Sequence, residues 1–386
     1  MSRLSSNRSQ TPSKNGLPAR AGLRRLKRRA APLLAALAVA GGAVAAAAAF
    51  ADNRPSASGP ALTSITLQLD PITAIAQDKG FLKSEYAKIG VNQVTLVAPG
   101  TAQMIGAEAA QLNSGGIAVA QRMIYPAVVH RANGLDAVIV WESQPSDKYR
   151  TPLLARAGND RINDVRDLDG KKFASSRVSC YWTAPFETLI KAGLPLDSRT
   201  TRGRVRYQSI DSTNVVTAAL LSGAIDATAM HLGTSNAAAL YLSHQVKVIG
   251  RTPDHGEYTD GAGRVSYFAM RSFADQHPEA IHAFLVAIEQ ARTWALAHPD
   301  EAAQIVAHET RVPVEIARFQ ITDPSEFDFM AGEPDADNVR TTIKQFQAWY
   351  VAHGDDILSE RHLSDGQIDA MVDGRFFAGG KYSAYQ

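Results

Sequence analysis

The chain has almost no cysteine, no acidic residue in its first 51 positions and no long basic run after them. Cys180 is the single cysteine among 386 residues. An intramolecular disulfide framework is therefore impossible, and so is a zinc or iron–sulfur site built from several thiolates. The common catalytic signatures are missing as well: there is no G-x-S-x-G elbow, H-E-x-x-H pair, G-x-x-x-x-G-K-S/T loop or G-x-G-x-x-G turn. The ten histidines are scattered, and His298 and His308, ten apart on helical sequence, form no chelate. Hydrophobic residues make up 45% and charged residues 20%, which is globular composition and excludes a wholly disordered chain.

The formal net charge of +2 hides two regions of opposite character. Nine of the 40 basic residues fall in the first 51 positions; removing them leaves 31 against 38 acidic residues, a net of −7. An acidic body without a basic face excludes a nucleic-acid footprint. Any anion it binds must be held by local groups rather than by bulk charge.

The N-terminus reads as an address. A basic segment, Arg20 to Arg29, precedes an Ala/Leu/Val/Gly run over 30–50, and Ala49-Phe50-Ala51 forms a small-x-small cleavage pattern before Asp52. The run is also about long enough to span a bilayer, but Ala and Gly dominate it, Pro32 opens it and a cleavage site closes it. Residues 1–51 are thus expected to be a signal peptide that exports the chain to the periplasm by the Sec or Tat route. No cysteine stands near the cleavage site, so it is not a lipoprotein signal. Residues 52–61, rich in Asn, Pro, Ser and Gly, read as a flexible leader.

Beyond the leader, strand patterns alternate with helical ones. Ile65–Leu69, Val94–Val97, Gly116–Ala120 and Ala137–Trp141 read as strands; Pro71–Leu82 (ending around Gly80), Ala102–Asn113 and Ile124–Ala132 read as helices between them. A second series follows from Pro152 to Ile249, then Arg264–Met270 as a strand, and helices at 278–297, 299–308, 313–320, 338–353 and 364–372. Alternation of this kind predicts βαβ units, mostly parallel sheets and two α/β modules.

Four segments carry a family likeness. They are Ala76-Gln77-Asp78-Lys79-Gly80-Phe81-Leu82, Asp164 to Lys172, Leu221-Ser222-Gly223-Ala224-Ile225-Asp226-Ala227, and His277-Pro278-Glu279 with Trp294 to Ala302. In this order and spacing they resemble periplasmic solute-binding proteins of ABC importers, in the nitrate/sulfonate/taurine (aliphatic sulfonate-binding-like) family. The likeness runs over about residues 64–372. It implies an α/β two-lobe periplasmic binding protein of type II, each lobe a mostly parallel sheet flanked by helices and joined by hinge crossover strands. Lobe I would comprise 62–147 and 255–386, and lobe II 148–254. It further implies a monomer that closes on one small ligand and docks on an inner-membrane ABC permease and ATPase complex, with no cofactor, metal or nucleic acid.

Ligands of open α/β sheets bind beyond the carboxyl ends of the strands, where helix N-termini favour anions. Gly100 and Thr101, between a strand and a helix, offer a close backbone approach and a hydroxyl donor, or else a plain turn and cap. Gln68 follows the first strand. Gln121 and Arg122 follow the third, and Arg122 is the only evident charge clamp there. The loop after Lys172–Ser175 corresponds to one that grips the anion with small hydroxyl residues in the resembled family. Ser179 and Thr183 match in kind, whereas Cys180, Tyr181 and Trp182 depart from it and suggest a ligand with apolar surface. An aromatic beside an N-cap can equally pack on its own lobe. His231 stands where the family often has an acid, which counts against a taurine-like zwitterion.

These readings converge on capture of a small organic oxyanion, an alkyl- or arylsulfonate, for an importer of sulfur metabolism. Two alternatives stay open. One is a desulfinase-like or pyrimidine-synthase-like enzyme on the same fold using Cys180, whose place at a helix N-terminus would lower a thiol pKa. The other is a ligand sensor without a transport role.

Overall fold

A computed structural model describes residues 61–98, 107–144, 151–194, 196, 204–251, 264–322 and 331–377. The chain divides into two units, Met1–Pro55 and Ser56–Gln386. The first, including the proposed signal segment, lies outside the described residues, and all the described strands and helices belong to the second.

The ten described strands form three sheets, two of them abutting in the first half, on one plan in each half. In the first half, β1 (Ser64–Gln68) pairs in parallel with β2 (Gln93–Val97). The Ala118 N–H donates to the Thr66 carbonyl at 2.8 Å and ties β1 to the edge of β3 (Val119–Met123). The late strand β10 (Val265–Met270) inserts antiparallel between β3 and β4 (Ala137–Glu142). The spatial order is thus β2-β1-β3-β10-β4. The second half runs β7 (Arg206–Ser209), β6 (Lys172–Ser175), β8 (Ala227–Ala229), β5 (Pro152–Arg156) and β9 (Val246–Arg251). There β5 takes the position that β10 holds in the first. Each inserted strand arrives from the other lobe, β5 after β4 and β10 after β9.

The two-lobe α/β class therefore holds, but parallel pairing is less dominant than the sequence suggests. Parallel ladders join β1–β2, β6–β7 and β6–β8, whereas β5 and β10 run antiparallel to both of their neighbours. The reason is geometric. A strand entering from the opposite lobe starts at the end where its neighbours finish.

Local chemistry sets the helix limits. Asp70 caps α1 (Pro71–Asp78) through a capping box with Thr73, and Pro71 occupies the first turn, where its missing N–H costs nothing. The helix expected to run on to Leu82 is broken by Gly80, whose φ of 76° opens a second helix, α2 (Phe81–Ala87). Helices α3 (Ala107–Asn113), α4 (Ile124–Ala132), α5 (Cys180–Lys191), α6 (Thr213–Ser222) and α7 (Ser235–Leu242) connect strands. Then follow α8 (Arg271–Gln276), α9 (Pro278–Ala297), α10 (Pro299–Thr310), α11 (Val314–Thr322), α12 (Ala336–Ala352), α13 (Asp356–Glu360) and α14 (Asp365–Met371).

One hydrophobic core lies under α1, α9 and α10 against β1, β3, β4 and β10. Another joins the halves: Tyr125 and Val128 of α4, Trp182 and Phe186 of α5, and Phe346, Trp349 and Tyr350 of α12 pack in a single cluster. The Tyr350 ring lies 5.3 Å from Tyr125 and 5.0 Å from Phe186. Hydrogen bonds between polar groups cross this cluster, as burial favours. The Asp355 carboxylate accepts from the Tyr125 hydroxyl at 2.8 Å and the Trp182 indole at 3.0 Å, and it also caps α13. The Tyr350 hydroxyl donates to Glu187 at 2.6 Å.

Burial pushes the Glu187 carboxyl up to about 7 despite that hydrogen bond. A carboxyl whose folded pKa exceeds its unfolded value stabilises below the unfolded pKa, and this contribution disappears as pH rises through the folded one. The window runs from the ordinary glutamate value to about 7, and its size is on the order of a few kcal/mol. Chemical denaturation should accordingly show lower stability at pH 8.5 than at pH 5.5, and Glu187→Gln should flatten the slope by raising stability at pH 8.5. A slope unchanged by the substitution would locate the titrating group elsewhere.

Candidate functional site

The carboxyl ends of β1 and β3 bring two of the sequence candidates together. Gln68, 8% exposed, accepts the Gln121 N–H on its side-chain oxygen at 2.9 Å. Its amide nitrogen has no partner among the described residues, leaving two donors at the strand end. The adjacent Asp70 is committed to structure: it caps α1 and accepts from the Tyr267 hydroxyl at 2.9 Å. Burial raises its pKa.

Gln121 and Arg122 do not follow the third strand but lie inside it, because β3 extends to Met123 and pairs them with Tyr267 and Ser266. The Arg122 guanidinium is ion-paired with Glu108 of α3, both side chains being almost wholly buried. His130 stands 4.0 Å from the same carboxylate, and burial and then Arg122 lower its pKa to about 4. The expected charge clamp is thus an internal ion pair, neutralised within its own lobe.

In the second lobe the loop from β6 to α5 is differently committed. Ser179 is the N-cap of α5: its hydroxyl accepts the Tyr181 N–H at 3.1 Å and donates to the Ser176 carbonyl at 3.3 Å. Thr183 is fully buried one turn further on. Trp182, 1% exposed, turns into the aromatic cluster beside Phe186 and Tyr207 and donates to Asp355, so it packs as a staple between lobes. The Ser179 hydroxyl is thus engaged in the helix start and the Trp182 indole in the core. Cys180 is the first residue of α5. Its side chain, like Gly100 and Thr101, lies outside the described residues.

Tyr181 and His231 do come together, with ring centroids 5.2 Å apart. Burial pushes the His231 pKa down to about 3, so the imidazole is neutral at pH 7. Thr151, just before β5, places its hydroxyl 3.4 Å from His231 Nδ1. Ser176 donates to Asp211 at 2.8 Å. A space near 10 Å³ between Tyr181, Ser176, Thr213 and Met230 holds no more than about one water.

The sequence reading missed a third group. Glu142 ends β4, Arg264 immediately precedes β10, and Glu333 lies beside them because its N–H donates to the Glu142 carbonyl at 2.7 Å. Gly332 permits that approach; a Cβ there would meet the Trp141 indole nitrogen at 2.4 Å. Arg264 follows a Gly-rich stretch and has no motif around it. Only the antiparallel register of β10 brings it to the same sheet end as Gln68.

Comparison with known proteins agrees with this architecture. The NMT1/THI5-like family model matches residues 72–302, more than half of the chain, and the protein belongs to that family. Among solved structures, the alkanesulfonate-binding protein SsuA from Xanthomonas axonopodis pv. citri, bound to MOPS, is similar at TM-score 0.64 and 17% identity. The match covers 81% of this chain and 98% of that one. The periplasmic aliphatic sulphonate binding protein SsuA from Escherichia coli is similar at TM-score 0.59 and 20% identity, over 78% and 97%. The desulfurization enzyme DSZB shares the fold at TM-score 0.57 and 16% identity, over 84% and 99%. At such identities the likeness shows the fold, which serves binding proteins and an enzyme alike. No curated protein matches the chain.

The capping role of Ser179 has a measurable consequence. Ser179→Ala should lower the unfolding free energy by about 0.5–2 kcal/mol in urea, the range for a lost N-cap. Unchanged stability would mean that the hydroxyl does not cap α5.

Proposed function

We propose that this protein is an exported solute-binding protein that captures a small organic oxyanion, an alkyl- or arylsulfonate, between its lobes and delivers it to an ABC importer. In this reading residues 1–51 direct export to the periplasm, 62–147 with 255–386 form lobe I, and 148–254 form lobe II. The observation that carries it is a binding-protein fold in which polar groups gather where strands end: the Gln68 amide in one lobe, Tyr181 and neutral His231 in the other. Amide and ring donors of this kind suit an oxyanion held by hydrogen bonds. The two aromatic rings give an organic tail something to cover. Similar solved structures described as sulfonate-binding support the same substrate class. Among the described residues no helix is long and apolar enough to cross a membrane.

A second reading, catalysis through Cys180, is favoured by one observation: the fold is shared with a desulfurization enzyme, and Cys180 opens α5. The two readings separate experimentally.

A thermal-shift series with ethanesulfonate, benzenesulfonate, taurine, nitrate, bicarbonate and pyrimidines should show stabilisation by the sulfonates, near 2.7 kcal/mol at about a hundred times the dissociation constant. No shift with any sulfonate would remove the substrate class. Cys180→Ser should leave the shift intact. Sulfonate or sulfinate turnover by the wild type that is lost in Cys180→Ser would establish the enzyme reading instead.

A further inference from the structure

Arg264 is the most anomalous charge among the described residues. Its side chain is 2% exposed, yet the nearest carboxylates, Glu142 and Glu333, stand 3.9 and 3.8 Å from its Nη1. Charge-assisted N–H···O bonds are about 2.7–2.9 Å long, so these are ion pairs without bonds. Nε and Nη1 of Arg264 and Oε1 of Glu142 are all buried and unpartnered. The two carboxylates are held by other groups. Glu142 accepts from the Ser266 hydroxyl at 2.8 Å, and Glu333 accepts from the Asp335 N–H at 3.2 Å and the Asn338 amide at 3.0 Å. Leaving buried charged donors unbonded is costly, and a native protein retains such an arrangement where something else completes it.

The topology indicates what completes it. Val265 pairs with Met123 and Ser266 with Glu142, so Arg264 lies at the carboxyl ends of β3 and β4, one strand away from the end of β1 and Gln68. This is the ligand edge of an open α/β sheet. The second lobe repeats the device: Thr151, immediately before the equivalent inserted strand β5, reaches His231 at the end of β8.

We propose that Arg264 is the charged anchor for the oxyanion of the bound ligand, the part that Arg122 does not take because it is paired with Glu108. The assignment rests on the oxyanion-binding reading above and deepens it. The guanidinium holds two unbonded donors, Nε and Nη1, either of which can give a charge-assisted hydrogen bond to a sulfonate oxygen. Glu142 and Glu333 keep the cation compensated while the site is empty, without occupying those donors. Burial pushes the Glu142 carboxyl up to about 7, so around neutral pH it is partly protonated and opposes an incoming anion less than a full charge would.

Isothermal titration of the full chain with ethanesulfonate, and with its neutral isostere ethanesulfonamide, tests the assignment. Arg264→Gln, shown to be folded by circular dichroism, should bind ethanesulfonate about tenfold to a hundredfold more weakly, the loss of charged hydrogen bonds. Ethanesulfonamide binding should be little changed, a loss of charge preference that a purely structural arginine would not produce. Equal ethanesulfonate affinity in folded Arg264→Gln and wild type overturns the assignment and leaves the proposed function standing. A wild type that binds neither ethanesulfonate nor any other oxyanion overturns both. Should Arg264→Gln not fold, Glu142→Gln decides: at pH 8.5, where the wild-type carboxyl is ionised, it should bind ethanesulfonate severalfold more tightly, and unchanged or weaker binding overturns the assignment.

Discussion

The structure depends on a single topological constraint: the chain crosses between lobes twice, and each crossing ends in the middle of the sheet it enters. β5 and β10 are interior strands, paired on both sides, in sheets otherwise built from the chain on one side of the crossing. Because each enters from the opposite lobe, it runs against its neighbours and delivers its leading residues to their carboxyl ends. The same step that joins the lobes therefore furnishes the ligand edge. Thr151 and Arg264 are where they are because a crossing strand must begin at that end.

Joining the lobes also requires a core that belongs to both. The aromatic cluster of Tyr125, Trp182, Phe186, Phe346 and Tyr350 supplies it, with α12 lying across α4 and α5. Aromatic rings bury large areas but fix geometry loosely; the Asp355 carboxylate fixes it by accepting simultaneously from Tyr125 and Trp182. Arg177, in the loop before α5, is ion-paired with the neighbouring Asp356. The loop from β6 to α5 and the start of that helix are thus held by the C-terminal segment as well as by their own sheet. A hinge motion that preserved this buried network would turn about the α12 contact, keeping the α5 N-terminus at constant distance from Asp355.

Much of this architecture is legible in the sequence because it is written in short-range patterns. Alternation in Ser64–Gln68, the helical spacing of Ile124–Ala132 and the proline-led start of Pro278–Ala297 each report local periodicity, and each element forms as expected. Two kinds of information are absent from that level. The first is the direction of the central strands, since β10 reads as a strand whether it runs parallel or antiparallel. The second is the identity of the charge that remains without a bonded partner. Arg122 stands beside a strand end and looks like a clamp, but Glu108 neutralises it from a helix that sequence spacing does not place opposite. Ser179 closes the loop after β6, and Trp182 and Thr183 lie in the first turn of α5. The helix start engages the Ser179 hydroxyl and the aromatic core the Trp182 ring, because capping and burial act together at a helix start.

Arg264 and Arg122 differ in a way that composition cannot express. Beyond residue 51 acidic residues outnumber basic ones, so the proposed anion capture would have to overcome long-range repulsion with attraction at short range. A guanidinium directly bonded to a carboxylate cannot do this, since its donors are saturated and its field is cancelled at contact. A guanidinium nearly 4 Å from two carboxylates keeps its compensation in energy but not in hydrogen bonding. Its charge is tolerated in the interior while its donors still favour a planar or tetrahedral oxyanion. Placing such a group where two crossings and a C-terminal segment meet makes the anion a bridge between parts of the chain distant in sequence. This is the differential contact by which a ligand favours one arrangement of the lobes over another.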